Sequence, residues 1–393
     1  MLARSIFVLA VGGFATITSL RAADPLLILI GAEYGISAAS ASSAITAIVF
    51  GYGAAQFIHG PLGDRIGKFH LMAIAAAVAA IASFACALST TLPGLMVARF
   101  CAGAMTGAMV PLSMAWIGDV VAYEKRQAML ARYVLGNWMG LSLGALTSGL
   151  LAEQFGWRAI FWILGVVYIM LAFALWLEIR VNPLTRRPAD APTSLREAYA
   201  RIGTVLTQPW PRTLLLVVFI DGILIFSPLA FIPLHAQHSF GLGTGGGAAM
   251  MLAMASGGIT YATSAGRLIG RFGERGLLAL GGVLMAIAWG GVFAAPNIPV
   301  MVVALVLLGF AMPMIHNTLQ VNGTQMAPSA RGAGMTLFAA SLFVGQSIGI
   351  WGEARMADAW GTSSVVLLAA IGVPLLAFYI RARITERPKP AAA

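Results

Sequence analysis

The sequence predicts an all-α membrane protein with twelve transmembrane helices in two pseudo-symmetric six-helix bundles. Three observations carry that prediction. Hydrophobic residues make up 59% of the 393 residues and charged ones 10%, against about 45–50% and about 25% in soluble domains. The excess lies in runs of about 20 apolar residues, the length that crosses hydrocarbon at helical rise. Landmark residues also recur at half the chain length. The composition excludes a soluble enzyme, a disordered chain and a secreted disulfide scaffold. Cys86 and Cys101 both fall inside apolar runs and read as small buried side chains.

The runs lie at roughly 5–31, 42–62, 70–90, 93–117, 130–152, 159–179, 213–235, 246–266, 276–295, 299–320, 332–353 and 361–381. The first follows Arg4 as a signal peptide would. It runs too long for an h-region and lacks a small-x-small site before Arg21, so it is expected to stay uncleaved. If the N-terminus faces the cytoplasm, 20 of the 24 Lys and Arg residues fall in inner segments, from Arg4, Arg65 and Lys68 through Arg383 and Lys389. Arg158 and Arg355 fall outside, and Arg21 and Arg99 fall within runs. Both termini are therefore expected on the cytoplasmic side. The net charge of +10 faces anionic lipid rather than nucleic acid on this reading.

The organisation expected is an N-terminal bundle over 1–180, a cytoplasmic linker over 181–212 and a C-terminal bundle with a short tail over 213–393. Five prolines, Pro183, Pro188, Pro192, Pro209 and Pro211, keep much of the linker from being helical. Ser194 and Glu197 form a candidate capping box for a short basic helix through Arg196, Tyr199 and Arg201, lying on the membrane surface.

Sliding the chain on itself by about 206 residues places Gly60, Arg65 and Gly67 on Gly266, Arg271 and Gly273, and Pro93 and Gly103 on Pro299 and Gly309. At a shift of 205, Arg126, Gly140, Gly144 and Gly156 fall on Arg331, Gly345, Gly349 and Gly361. Asp24-Pro25 meets Ser227-Pro228 with a small offset. An even number of runs separates the copies, so they share an orientation, and two such halves suit alternating access around a central site.

The joint between the second and third runs reads Gly60-Pro61-Leu62-Gly63-Asp64-Arg65-Ile66-Gly67-Lys68. It resembles the loop signature Gly-x-Leu-Ala-Asp-Arg-x-Gly-Arg-Lys of the major facilitator superfamily, with Gly63 for Ala and Lys68 for Arg, and the resemblance extends over nearly the whole chain. It implies a cytoplasmic gate. Asp64 is expected against the N-terminal end of the eleventh helix, where the dipole favours a carboxylate, and Arg65 is expected to reach Asp119 at the inner end of the fourth. A solvated loop anchored by its charge is the plainer alternative. The second copy, around Arg267 and Arg271, lacks the Asp, so any latch is asymmetric.

Four ionisable residues inside runs are candidates for proton coupling. Arg99 lies about six residues into the fourth run, too deep to snorkel easily, and must face a wet cavity or a partner. Its segment resembles the Arg-containing fourth-helix motif that the superfamily uses in proton coupling. Arg21 and Asp24 are three apart, and Pro25 removes the hydrogen bond to the Arg21 carbonyl, so the helix is expected to open there. Asp24-Pro25-Leu26-Leu27 resembles the first-helix pattern of twelve-span drug/proton antiporters. Burial favours a neutral carboxyl and a neighbouring guanidinium favours a charged one; that opposition suits a switchable proton site, and a permanent ion pair is the alternative. Asp221 is the only acid of the seventh run and has no cation one turn away.

His316, Asn317 and Gln320 in the tenth run, Gln346 in the eleventh and Asn137 in the fifth are candidates for the substrate cavity, or for ordinary interhelical hydrogen bonds. The fifth run carries Gly136, Gly140, Gly144 and Gly149, a close-packing pattern. Superfamily antiporters have Gly-Pro here, and Ala145 stands where that Pro belongs.

Two functions follow from the resemblance. One is proton-coupled export of small amphipathic molecules. The other is import of an organic acid or sugar by proton symport. The implied setting is a monomer spanning a bacterial cytoplasmic (inner) membrane, with no cofactor, the proton gradient as energy source, and a small-molecule substrate and protons as partners. No zinc-type His-Glu-x-x-His, nucleophile elbow or phosphate-cradling loop points to an enzyme.

Overall fold

The computed structural model describes residues 2–121, 123–186, 195–327 and 330–384, and every regular element among them is helical. The spans are α1 Leu2–Tyr34, α2 Ser40–Ile66, α3 Lys68–Leu88, α4 Leu92–Val120, α5 Tyr123–Phe155, α6 Ala159–Val181 and α7 Pro209–Phe240. After them come the 50-residue stretch Thr244–Phe293, then α10 Ile298–Gln325, α11 Arg331–Trp360 and α12 Thr362–Arg383. Were that stretch straight it would be about 75 Å long at 1.5 Å per residue, far more than a bilayer needs. Gly273 breaks it with φ 60° and ψ 179°, giving α8 (244–272) and α9 (274–293). Twelve crossings place both described chain ends on one face, called here the terminal side; the opposite face is the far side.

The sequence repeat is a repeat of contacts. Gly103 of α4 lies against the Ile48 carbonyl of α2, and its copy Gly309 in α10 lies against the Met254 carbonyl of α8. Gly51 sits on the Phe100 carbonyl, and Gly257 on that of Val306. Even the turns match. The six positive-φ glycines among the described residues fall into three pairs 205 or 206 apart: Gly35 with Gly241, Gly67 with Gly273, and Gly156 with Gly361. A side chain at such a φ meets its own backbone, so glycine is kept at both copies.

Each half builds its own apolar core. One is formed mainly by α1–α6, with Leu9, Ile45, Phe69 and Phe161 fully buried, and the other mainly by α7–α12, with Val218, Met251, Trp289 and Leu308. Two seams join the halves. Along one, α2 runs antiparallel to α11. The Ser40 hydroxyl donates to Asp358 at 2.8 Å, Ser347 donates to the Thr46 carbonyl at 3.0 Å, and the Tyr52 and Phe343 rings lie 4.3 Å apart. On the terminal side of this seam, Thr336 is 3.7 Å from where a Cβ on Gly60 would stand. Along the other seam α5 meets α8. Thr244 donates to the Gly149 carbonyl at 2.9 Å, the Gly245 N–H donates to Glu153 at 2.8 Å, and Trp138 lies against Gly258.

The joint between the halves contains a helix, Leu195–Leu206, whose Val205 is buried in the second core. The expected cap Ser194 lies outside the described residues, as does the Glu197 side chain.

A Cβ on Gly345 would meet the Phe219 backbone of α7, whereas one on Gly352 meets nothing within 4 Å. Gly345→Ala is expected to destabilise the protein by about 1–3 kcal/mol. Gly352→Ala is expected to be neutral, or stabilising by up to about 1 kcal/mol through helix propensity. Thermal unfolding in detergent separates the two, and equal midpoints would refute the close approach.

Candidate functional site

The site grows from a proline. Pro25 has no N–H and disfavours a helical Asp24. The helix Leu2–Arg21 stops there, a 3₁₀ turn over Asp24–Leu26 follows, and the helix resumes at Leu27–Tyr34. A break at this depth frees carbonyls that hydrocarbon cannot satisfy. Other spans satisfy them. Arg99 of α4 donates from Nη1 to the Ser19 carbonyl at 2.8 Å, Ser148 of α5 to that of Ala22 at 2.5 Å, and Gln237 of α7 to that of Pro25 at 3.0 Å.

Arg99 therefore has a partner and not a wet cavity. It is fully buried, also donates to the Ala44 carbonyl at 3.3 Å, and lies over the Phe161 ring. As a cation at the end of the helix Leu2–Arg21, it also answers the negative pole of that dipole. Asp24 is fully buried too. Its Oδ2 accepts from Arg21 Nη1 at 3.3 Å, a long contact, and its Oδ1 has no partner among the described residues.

α7 is broken in the same way. Its first segment ends at Asp221, a wide turn covers Gly222–Phe226, and a 3₁₀ turn covers Pro228–Phe231. Asp221 is fully buried, and its Oδ2 lies 2.8 Å from His316 Nδ1 of α10; Oδ1 has no partner among the described residues. His316 packs edge-on to Phe226 and tilted to Phe338. It is thus engaged with an acid rather than free for cargo, while its neighbours Asn317 and Gln320 are exposed. Gln346 is buried and donates to the Phe226 carbonyl at 3.4 Å, another freed group of the break. Asn137 is half-buried beside Gly13 of α1.

The fifth-span glycines are contact points. Gly136, Gly140 and Gly144 meet Ala10, Phe14 and Thr18 of α1, and Gly149 meets Thr244 and Ala248 of α8. One face of α5 thereby follows α1 and another follows the opposite half.

Two buried acids escaped the sequence analysis. Glu178, at the end of α6, holds the start of α1 through an ion pair with Arg4 and a 2.7 Å hydrogen bond from Ser5. Glu353 of α11 is 2% exposed and accepts from Ser227 at 2.6 Å. An acid at the last position of the eleventh apolar run was the available signal.

On the terminal side, Lys68 joins Asp64 at 3.1 Å and Asp119 at 2.7 Å. The expected Arg65–Asp119 contact is replaced: Gly67 turns the chain so that Lys68 points back between the two acids, and Arg65 stays exposed. Asp64 lies one turn beyond Gly60, which faces Thr336 of α11, and its described partner is Lys68. On the far side, Glu153 accepts from Gly245 and Asp358 from Ser40. These pairs are repeat copies, each residue 205 from its counterpart, and each half thereby closes on a helix start of the other.

Gly53 and Gly60 pack on Phe343 and Thr336; their copies are Ile259 and Gly266, and among the described residues Ile259 is 59% exposed. The far side is closed on both seams.

The family model described as Major Facilitator Superfamily matches residues 9–265 and 261–393. The chain belongs to that superfamily. It is a multi-pass membrane transporter of small molecules. The putative uncharacterized transporter YgaY of Escherichia coli is 24% identical over 359 residues, covering 88% of this chain and 87% of that one. The MFS-type transporter paaT of Penicillium rubens is 29% identical over 147 residues, 37% of this chain and only 26% of its own length. Among solved structures, a D-xylose-proton symporter aligns with a TM-score of 0.77 at 17% identity, over 96% of this chain and 97% of that one.

For this superfamily member, Arg99→Ala leaves the Ser19 and Ala44 carbonyls without their donor. The expected cost is about 2–4 kcal/mol, with partial recovery in Arg99→Lys. A wild-type unfolding midpoint for the alanine variant would overturn the stitching role.

Proposed function

We propose that the protein is a proton-coupled secondary transporter working by alternating access, and that it exports small amphipathic molecules across a bacterial cytoplasmic membrane with both termini inside. The observation that carries the proposal is the placing of Asp24 and Asp221. Each is a fully buried carboxyl at a helix break, with one oxygen held by a basic side chain and the other without a partner among the described residues.

A buried carboxylate with one weak contact is costly, and a proton removes that cost. Protonating Asp24 frees Arg21; losing the proton restores the pair. Both events fall where the α-helical hydrogen bonding of α1 is interrupted, and beside the Pro25 carbonyl that Gln237 of the other half holds. A proton can thus bias how the halves sit together, which is what coupling requires.

Orientation follows the placing of Lys and Arg, so the terminal side is cytoplasmic. Export of amphipathic cargo is supported by polar Asn317 and Gln320 beside the aromatic surroundings of His316. Both arginines near the site are buried on protein partners, which removes the free cations that import of an organic acid would use.

In proteoliposomes, Asp24→Asn is expected to lower pH-driven transport by about tenfold or more, the scale of ordinary coupling energies, while substrate binding survives. Undiminished pH-driven flux would remove Asp24 from the mechanism. Substrate movement opposite to an imposed proton gradient identifies export, and movement with it identifies import.

Glu153→Ala combined with Asp358→Ala removes both far-side hydrogen bonds, each worth about 0.5–1.5 kcal/mol. The expected result is about a fivefold or greater rise in labelling of Ser347→Cys by an impermeant maleimide, in a Cys101→Ser background. An unchanged rate would show that these acids do not hold the far side shut.

A further inference from the structure

We infer that Glu353 is a further proton-binding carboxyl, the counterpart in the second bundle of Asp24 in the first; this rests on the proton-coupled reading above. Four positions carry the inference. The repeat places Asp24 on Ser227 and Ser148 on Glu353. In the first bundle the broken helix supplies the acid, and the packing helix α5 supplies a serine that reaches the break. In the second bundle the broken helix supplies the serine, and the packing helix α11 supplies the acid. At these four positions acid and hydroxyl have exchanged helices.

Hydrogen-bond accounting leaves a place for a proton. Ser227 Oγ has one hydrogen and two oxygen neighbours, the Ile223 carbonyl and Glu353 Oε1. The carbonyl accepts only. Ser227 can satisfy a charged Glu353 or the carbonyl but not both; a protonated Glu353 donates to Ser227 while Ser227 donates to the carbonyl, and both contacts are then made. Glu353 Oε2 has no partner among the described residues, and no basic group takes part in the contacts described for this carboxyl.

The titratable and charged groups of the elements packed around it are engaged or distant. On α7, Asp221 bonds His316 and His235 bonds Thr362 of α12. On α11 itself, Arg355 lies over Trp351 and Asp358 accepts from Ser40. Tyr52, His59, Asp64 and Arg65 of α2, His316 of α10 and Tyr379, Arg381 and Arg383 of α12 all lie nearer the terminal side. A buried carboxyl with a hydroxyl neighbour and no cation is kept neutral by its desolvation cost.

Gly349 seats α11 directly on Ile223 and Ser227 one turn from Glu353, so any change in the α7 break alters the carboxyl's surroundings. Parting α7 from α11 removes the serine and admits water, and the carboxyl then gives up its proton to that water. The balance is one proton held on the carboxyl while α7 and α11 are packed together, returned to water when they part, and taken up again from that water before they close.

The test is infrared difference spectroscopy of the full chain reconstituted in phosphatidylethanolamine–phosphatidylglycerol vesicles while pH is raised from neutral to alkaline. The wild type is expected to lose protonated-carboxyl absorption in components that include Glu353. Glu353→Gln, which keeps size and hydrogen bonding, lacks one component that Asp24→Asn retains, and a soluble pH dye records about one fewer proton released per chain. Ser227→Ala shifts that same component and serves if the glutamine variant does not fold. A Glu353→Gln spectrum superimposable on wild type, or an unmoved component in Ser227→Ala, overturns the proposal. Undiminished pH-driven flux in Asp24→Asn would overturn the role of Asp24 and leave the Glu353 component in place, so the two failures are distinguishable.

Discussion

A backbone carbonyl in hydrocarbon must find a donor within the protein, and the architecture depends on meeting that demand at two breaks. An unbroken helix would satisfy itself and need no neighbour. Because Pro25 and Pro228 interrupt α1 and α7, the freed carbonyls call on other spans. Arg99, Ser148 and Gln237 come to the first break, and Gln346 comes to the second. Polar and charged side chains that lipid alone would not tolerate are thereby fixed in place. Gln237 comes from the opposite half, so one of these bonds is also a tie between bundles.

The two halves share geometry and differ in chemistry. Paired glycine turns and paired glycine contacts show how closely the backbones correspond. The charges do not follow. Asp64 has no acidic copy at position 270, so the end of α8 lacks the acid that the end of α2 carries. On the far side, by contrast, Glu153 and Asp358 are copies with matching contacts, and both seams are closed. Where acids are matched, so is the closure.

Much of this was legible in the sequence. Apolar run length marked all twelve crossings, and the break at Pro25 followed from the missing N–H. The eighth and ninth runs hid something: helix continues through polar residues as far as Gly273, because the long side chains around Arg267 and Arg271 need no apolar surface once past the hydrocarbon. The glycines of α5 were readable as packing points because a small residue has few other uses at one-turn spacing. Partners were harder. Nothing in sequence spacing says that Arg99 meets backbone, that Asp221 meets His316, or that Lys68 and not Arg65 reaches Asp119. Those depend on how helices rotate about their axes, which distant contacts decide. Glu353 was missed for a related reason: at the end of a run an acid reads as interfacial, and only the adjoining break in α7 makes the position deep.

The two acid–base contacts differ in a way that bears on how a proton is used. Asp24 and Arg21 are 3.3 Å apart, beyond the usual 2.7–2.9 Å of a charge-assisted hydrogen bond. Asp221 and His316 are at 2.8 Å, within it. The second contact is well made in this far-closed arrangement, and the first is not. A group held weakly by its partner has the smaller barrier to exchanging that partner for a proton, and Asp24 is also the acid whose break is tied across the halves by Gln237. On the proposed reading, protonation at the loose contact and rearrangement of the bundle interface are neighbouring events along one short segment, residues 21–25. The tighter Asp221–His316 contact then keeps α7 on α10 while residues 21–25 respond.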